Sequence, residues 1–450
     1  MRFTGLVIVG VLFALPLFHF APLLVQKDPI AVLSQYAGFV SLIAMGQIMV
    51  LATRWPGIEL LFGSLDRVYL LHKWLGVTAL TSAVLHEAVD PEIRGMEIGG
   101  RFGDLAEQVG ELGYNALLVM VTISLLTFIP YHWWRQSHKL MGIIFALAAF
   151  HTRFIEKSFA NDSAMGLYIL ALSAVGLIAY LYTLLPATLV KRMKPCSIVS
   201  VEDTGEAVSI VMRPNGKGIP HRAGQFAFLK LTGTNHSETH PFTISNAPSP
   251  DGNLRFTIKL LGDGTIQLAD SVEAGQTALV SQAFGHFTLP NLSKPQIWIA
   301  GGVGITPYLA WLGMLPRDHA PISLYICCKS RTDIAHLDAI LDRELHDSNF
   351  NVHIHSSQES NRLTLADLTN VLDDAKNTIV SFCGPEALRE DVFAGLSKAG
   401  VKRKNLRYEE FVLRSGLPLR ALVQSLSQYW ITLVGKIRNL PSQSRHSPTT

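Results

Sequence analysis

The sequence predicts a multi-domain membrane protein: a six-helix transmembrane bundle, then an antiparallel β-barrel, then an α/β domain. Three observations carry this. The first 190 or so residues contain long runs without a formal charge. The next hundred alternate apolar and polar residues between Gly- and Pro-rich turns. The remainder repeats an apolar strand, a Gly-rich turn and a helix.

Composition agrees. The 450-residue chain has a mean hydropathy of +0.27, high for a wholly soluble protein. A net charge of +3 is too mild for a nucleic-acid partner, whose binding needs clustered phosphate contacts. The four cysteines (Cys196, Cys327, Cys328 and Cys383) form no CxxC zinc pair, no CxxCH haem-attachment site and no disulfide framework.

Phe3 to Gln26 and Ile30 to Thr53 lack formal charges, and each exceeds the roughly 20 residues that span hydrocarbon. Further spans are expected near 67–87, 112–134, 137–155 and 163–190. Six crossings put Arg2, Arg54, Arg67, Lys73, Arg135, Lys139, Lys191, Arg192 and Lys194 at one face, which the positive-inside rule makes cytoplasmic. The other face receives Lys27, Asp28, the acidic 87–111 loop with Arg94 and Arg101, and EKSFAND, with Arg153 and Lys157 nearby. A cleaved signal peptide is the competing reading of the basic start and apolar run MRFTGLVIVGVLFALPLF. The charge pattern favours an uncleaved six-span topology.

After Lys194, CSIVSVED, AVSIVMR and LRFTIKLL alternate with period two between PNGKG, SPDGN and GDG, which predicts antiparallel strands to about Leu289. From Lys294, QIWIAGGVGITPYLAWLGML, ISLYICCKS and NTIVSFCGPEALREDVFAGL predict a mostly parallel α/β domain. The expected domains are therefore 1–194, 195–293, 294–414 and a tail, 415–450, with an amphipathic helix and a disordered end.

Histidines inside a span are costly unless they are used. His72 and His86 are 14 residues apart, about 21 Å along a helix. His138 and His151 are 13 apart, about 20 Å. Spans three and five run the same way, so His72 faces His138 on the inner side and His86 faces His151 on the outer side. Two stacked bis-histidine sites suit two non-covalent b-type haems, one ligand coming from each helix. Thirteen residues leave the second imidazole about 140° round a straight helix, so a kink, bulge or offset must absorb the difference. His132 sits among interfacial Tyr and Trp and is the weaker choice. His19 has no evident partner.

HPFT (His240, Pro241, Phe242, Thr243) follows RAGQFAFL, which contains Phe226. GGVGITP supplies Gly301, Gly302, Gly304, Thr306 and Pro307 at a strand-to-helix turn, where backbone can approach a phosphate. CGP supplies Cys383, Gly384 and Pro385. Together with the spaced histidines, these segments resemble the ferric reductase and NADPH oxidase superfamily over about residues 35–414.

The resemblance implies an FAD-binding barrel and an NAD(P)H-binding α/β domain. HPFT would line the flavin, and Thr243 is suited to hydrogen-bond its N5 edge. IKLLGDGT offers Lys259, Gly264 and Thr265 to the flavin pyrophosphate. GGVGITP and CGP would hold the nicotinamide nucleotide, with Cys383 near the nicotinamide. Lys329, Ser330 and Arg331 can meet a 2′-phosphate, which favours NADPH, with NADH second. Phe411 in RYEEF matches the aromatic that stacks on flavin, although this chain continues beyond it.

The implied enzyme moves electrons from cytoplasmic NADPH through FAD and two b haems across a cell membrane, in a bacterium the inner one. Dioxygen is the preferred acceptor, giving superoxide; a ferric complex or a periplasmic partner protein are the alternatives. Arg153 could serve either small-molecule acceptor through its charge. Two histidines on the outer iron imply outer-sphere transfer.

Overall fold

The computed structural model describes residues 1–89, 93, 102–125, 129, 131–190, 192–232, 239–261, 263–359, 361–372 and 374–409. Phe411, the 415–450 tail, Arg94, Arg101 and Lys191 lie outside them. The chain forms two compact units, one within 1–98 and 157–411 and the other within 99–156.

The helical part comprises α1 (Phe3–Ala14), α2 (Leu17–Gln26), α3 (Pro29–Ala52), α4 (Pro56–Phe62), α5 (Leu65–Glu87), α6 (Gly103–Leu125), α7 (Tyr131–His138), α8 (Met141–Phe154) and α9 (Ala164–Leu184). Among the described residues, α3, α5 and α9 are each long and apolar enough to cross a membrane, and the α1–α2 pair makes a fourth if taken as one span. That pair is bent by 40° rather than continuous, because Pro16 at the break has no N–H for the helix ladder. Only a third of the apolar stretch of α9 is buried, and Leu167, Val175, Ile178 and Leu181 are exposed on it, as suits a helix solvated by lipid.

In the second unit the helix expected over 112–134 runs instead from Gly103 to Leu125. Part of the expected acidic loop is therefore helical, with Asp104 in the first turn, where the helix dipole favours a carboxylate. The span expected over 137–155 is divided at Lys139 and Leu140 into α7 and α8.

The barrel contains β1 (Met193–Asp203), β2 (Ala207–Pro214), β3 (Phe226–Leu231), β4 (His240–Thr243), β5 (Leu254–Lys259), α10 (Asp263–Ser271) and β6 (Thr277–Phe284). Its antiparallel order is β4-β3-β6-β1-β2-β5. An isolated bridge from Ile244 to Phe256 nearly closes it around Ile210, Leu229, Phe256 and Val280. Pro241 is tolerated because β4 is the last strand in this order, where a missing N–H leaves no inner ladder bond unmade.

The α/β domain follows with β7 (Gln296–Gly301), a 3₁₀ turn (Gly302–Ile305), α11 (Thr306–Leu312), β8 (Ile322–Cys328), α12 (Leu337–Leu345), β9 (Phe350–Ser356), α13 (Leu365–Thr369), β10 (Ile379–Cys383), α14 (Glu386–Lys398) and β11 (Leu406–Tyr408). All pairings in its sheet are parallel, in the order β11-β10-β7-β8-β9. Numbered from β7, this is the doubly wound order 3-2-1-4-5 read in reverse, and its switch point lies between β7 and β10. Trp298, Tyr308, Trp311 and Phe287 pack the core beside that point, and Trp311 donates Nε1–H to Ala223 O in the barrel at 3.1 Å.

Candidate functional site

Two of the four predicted haem-ligand histidines share one local design. His86, on α5, has Nδ1 3.0 Å from Ser34 O on α3. Four residues on, Gly38 leaves the space the ring occupies: a Cβ there would lie 3.1 Å from it. In the second unit, His151 on α8 has Nδ1 2.8 Å from Ala106 O on α6. Again four residues on, a Cβ at Gly110 would lie 2.3 Å from Nδ1. A carbonyl can only accept, so both imidazoles carry their proton on Nδ1 and the lone pair on Nε2. That is the tautomer a metal-ligating histidine adopts when a backbone carbonyl orients it.

His138 closes α7, with Nδ1 3.1 Å from Ser124 Oγ and its ring stacked on Trp134 at 4.9 Å. The Ser124 hydroxyl donates to Met120 O, which leaves its oxygen to accept from His138. His72 is half-buried on α5, and His132 lies on α7. The interruption at Lys139 and Leu140 falls between His138 and His151, so no straight helix joins them. His19 does have a partner, Ser158 Oγ at 3.0 Å, and packs edge-on to Phe159. Arg153 occupies the last turn of α8.

HPFT forms β4, and its register places Thr243 opposite Phe226 and His240 opposite Leu229. Thr243 is buried; His240, Pro241 and Phe242 are half-buried. Gly264 and Thr265, expected in a Gly-rich turn, lie instead in the first turn of α10, where a Cβ at Gly264 would be 3.6 Å from His240 Nε2. Thr265 Oγ1 accepts from Leu261 N at 3.0 Å, and Lys259 pairs with Glu206 at 2.9 Å.

GGVGITP and CGP meet at the sheet's switch point. A Cβ at Gly301 would lie 2.6 Å from Pro385 Cδ, and one at Gly304 would lie 2.0 Å from Cys383 O. Gly302 has φ +57° and open space where a Cβ would go. Thr306 and Pro307 open α11. Cys383 is 1% exposed, and burial, with the Glu409 carboxyl adding to it, holds its thiol protonated. Lys329 and Arg331 are exposed beyond the end of β8, while Ser330 and Asp333 cap one another in the turn between them.

The sequence reading missed a polar cluster where the helical segment of the first unit meets its barrel. Glu59 Oε1 accepts from Leu65 N at 3.0 Å and from Gly285 N at 3.2 Å. Burial raises the Glu59 carboxyl to about 7; the two N–H groups oppose the rise and Asp66 adds to it. Glu409 is buried and held well above its ordinary range by desolvation first, then by Asp66. A glycine inside an apolar run was the available signal for Gly38, whereas Gly110 fell in the expected acidic loop and carried none. No local signal marks Glu59.

Residues 37–149 match the ferric reductase-like transmembrane component, and residues 189–304 match an FAD-binding domain. The chain belongs to the ferric reductase and NADPH oxidase superfamily. This superfamily member is 25% identical over 228 residues to the carnitine monooxygenase reductase subunit of Escherichia coli (strain K12), covering 49% of this chain and 70% of that protein. It is 28% identical over 230 residues to the flavohemoprotein of Burkholderia sp. (strain TH2), covering 48% and 58% respectively. The flavohem-like FAD/NAD binding domain of nitric oxide dioxygenase from Vibrio cholerae O1 biovar El Tor aligns with a TM-score of 0.43 at 18% identity, over 48% of this chain and 97% of that one. The matches thus span 58–70% of the two curated relatives' lengths.

Proposed function

We propose that this superfamily member is a multi-pass membrane oxidoreductase carrying electrons from cytoplasmic NADPH, through FAD and two b-type haems, to dioxygen on the far side. The inner haem is assigned to His72 and His138 and the outer to His86 and His151, with domains dividing at 194, 293 and 414. The observation that carries the reading is the repeated design at His86 and His151. Two imidazoles in different units each give Nδ1–H to a helix carbonyl over a glycine four residues on. A ligating imidazole needs its other ring N–H held in this way, and here the same arrangement recurs on two helices.

Bound flavin and haem would supply the change from a two-electron donor to single electrons. The chain's own residues do the rest. Ser34 O and Ala106 O fix the outer imidazoles, and Ser124 fixes His138. Thr243 presents a hydroxyl from β4 to the flavin edge, and Phe411 is assigned to its face. Gly301, Gly302 and Gly304 bring backbone N–H groups to the dinucleotide, Pro385 and Gly384 wall its nicotinamide end, and Lys329 and Arg331 offer charge to a 2′-phosphate.

A second reading, relay of electrons to a partner protein, is favoured by relatives named as a reductase subunit and an electron transfer component. Purified protein given NADPH and FAD separates the readings. Superoxide-dismutase-sensitive reduction of cytochrome c supports the oxidase. Dismutase-insensitive reduction of a ferric chelate indicates a metal reductase, and inactivity until a protein is added supports the relay. A visible spectrum without a b-type haem band removes the reading altogether.

A further inference from the structure

Helix α5, which carries His72 and His86, begins without the usual device. Ser64 stands at its N-cap and makes no side-chain capping bond. The first helical N–H, that of Leu65, goes instead to Glu59 Oε1 on the preceding short helix. The same oxygen accepts from Gly285 N. Gly285 directly follows Phe284, which pairs with Phe226, which pairs with Thr243 of HPFT. One carboxylate oxygen therefore joins the start of the histidine-bearing helix to the strand end two pairings from the flavin-side threonine.

The surroundings hold this oxygen in place. Arg2 donates to Leu60 O at 2.6 Å and approaches His286 Nε2 at 3.4 Å, strapping α4 from the other side. Arg67 donates to Tyr408 Oη at 2.8 Å, and Arg54 lies 4.4 Å from the Phe228 ring. Glu409 Oε1 accepts from His286 N at 3.4 Å, and a Cβ at Gly285 would meet that oxygen at 2.6 Å. Gly285 (φ +98°) is thus held between two carboxyls, Glu59 from α4 and Glu409 from just beyond β11. Arg2, Asp66, Arg67, His286 and Arg407 are the other charged and titratable groups around Glu59 and Glu409.

We infer that Glu59 is a positioning residue for electron passage: by holding Leu65 N–H and Gly285 N–H on one oxygen, it sets the register between the flavin-side strands and the helix bearing His72 and His86. The inference rests on the electron path proposed above. It extends that path by naming the contact that makes it efficient.

The test compares wild type, Glu59→Ala and Glu59→Gln as full-length, cofactor-loaded protein. Stopped-flow mixing with NADPH follows flavin bleaching and haem reduction separately. Hydrogen exchange is read on peptides containing Leu65 and Gly285. Glu59→Ala should leave flavin reduction unchanged, slow haem reduction about tenfold, as for buried N–H groups that lose their acceptor, and speed exchange at both amides. Glu59→Gln should restore both, because an amide oxygen still accepts from the two N–H groups. Unchanged haem reduction or unchanged exchange in Glu59→Ala overturns the inference. Absence of NADPH-driven haem reduction in the wild type overturns the electron path instead, and exchange then decides the clamp by itself.

Discussion

His151 reaches the carbonyl of Ala106 across the bare flank of Gly110, with Nδ1 2.8 Å from the oxygen. His86 does the same to Ser34 across Gly38 with more room, and the difference in clearance grades the first prediction.

Gly110→Ala puts a methyl group 2.3 Å from Nδ1, so the ring must leave its carbonyl; Gly38→Ala leaves 3.1 Å, which a shift of a few tenths of an ångström can absorb. Haem content measured from the absorbance spectrum of purified protein should fall strongly in Gly110→Ala and modestly in Gly38→Ala. Equal, full haem content in both would show that these carbonyl contacts do not hold haem ligands.

His86→Ala should lose the outer haem and stop transfer across the membrane while NADPH still bleaches the flavin. The readouts are the haem-to-protein ratio and anaerobic flavin absorbance. Retention of two haems would reassign the ligand.

At the sheet's switch point, Gly304→Ala drives a Cβ to 2.0 Å from Cys383 O, a backbone clash between the 3₁₀ turn after β7 and the end of β10. Overpacking of this kind costs about 1–3 kcal/mol, so Tm should drop and NADPH binding should weaken with it. Gly302→Ala meets open space but keeps a left-handed φ, at a cost of about 1–2 kcal/mol. Arg331→Ala should raise KM for NADPH about tenfold, as for one lost charge-assisted phosphate contact, and leave KM for NADH unchanged.

Stability should depend on pH through Glu59. Its carboxyl sits at about 7 in the folded protein against an ordinary 4.5. A raised folded value means the folded state holds the proton more tightly, so this contribution is full below about 4.5 and is lost as pH rises through about 7, up to about 3 kcal/mol. Glu59→Gln cannot ionise. Its Tm should exceed that of the wild type at pH 8, with the gap closing towards pH 5; a pH-independent gap would contradict the buried-acid account.

The outline was legible because it rests on composition and period. Charge-free runs gave the apolar helices, alternation gave the barrel, and the strand–glycine–helix pattern gave the α/β sheet whose order brings GGVG beside CGP. The position of α6 was not legible, since hydropathy discounts Asp104, Glu107 and Glu111, although the helix N-terminus favours Asp104 in its first turn. Nor was the junction. In PGIELLF, Glu59 reads as one solvated acid in a short linker, and only the fold reveals that Gly285, more than two hundred residues away, is its second donor.

The interruption at Lys139 and Leu140 separates His138 and His151 onto two rods. Each residue of an α-helix adds 100° of rotation, so on one unbroken rod a single insertion would swing one imidazole away from the other. A two-residue swivel absorbs such a change locally. Substitutions in α7 can therefore reset His138 without turning His151.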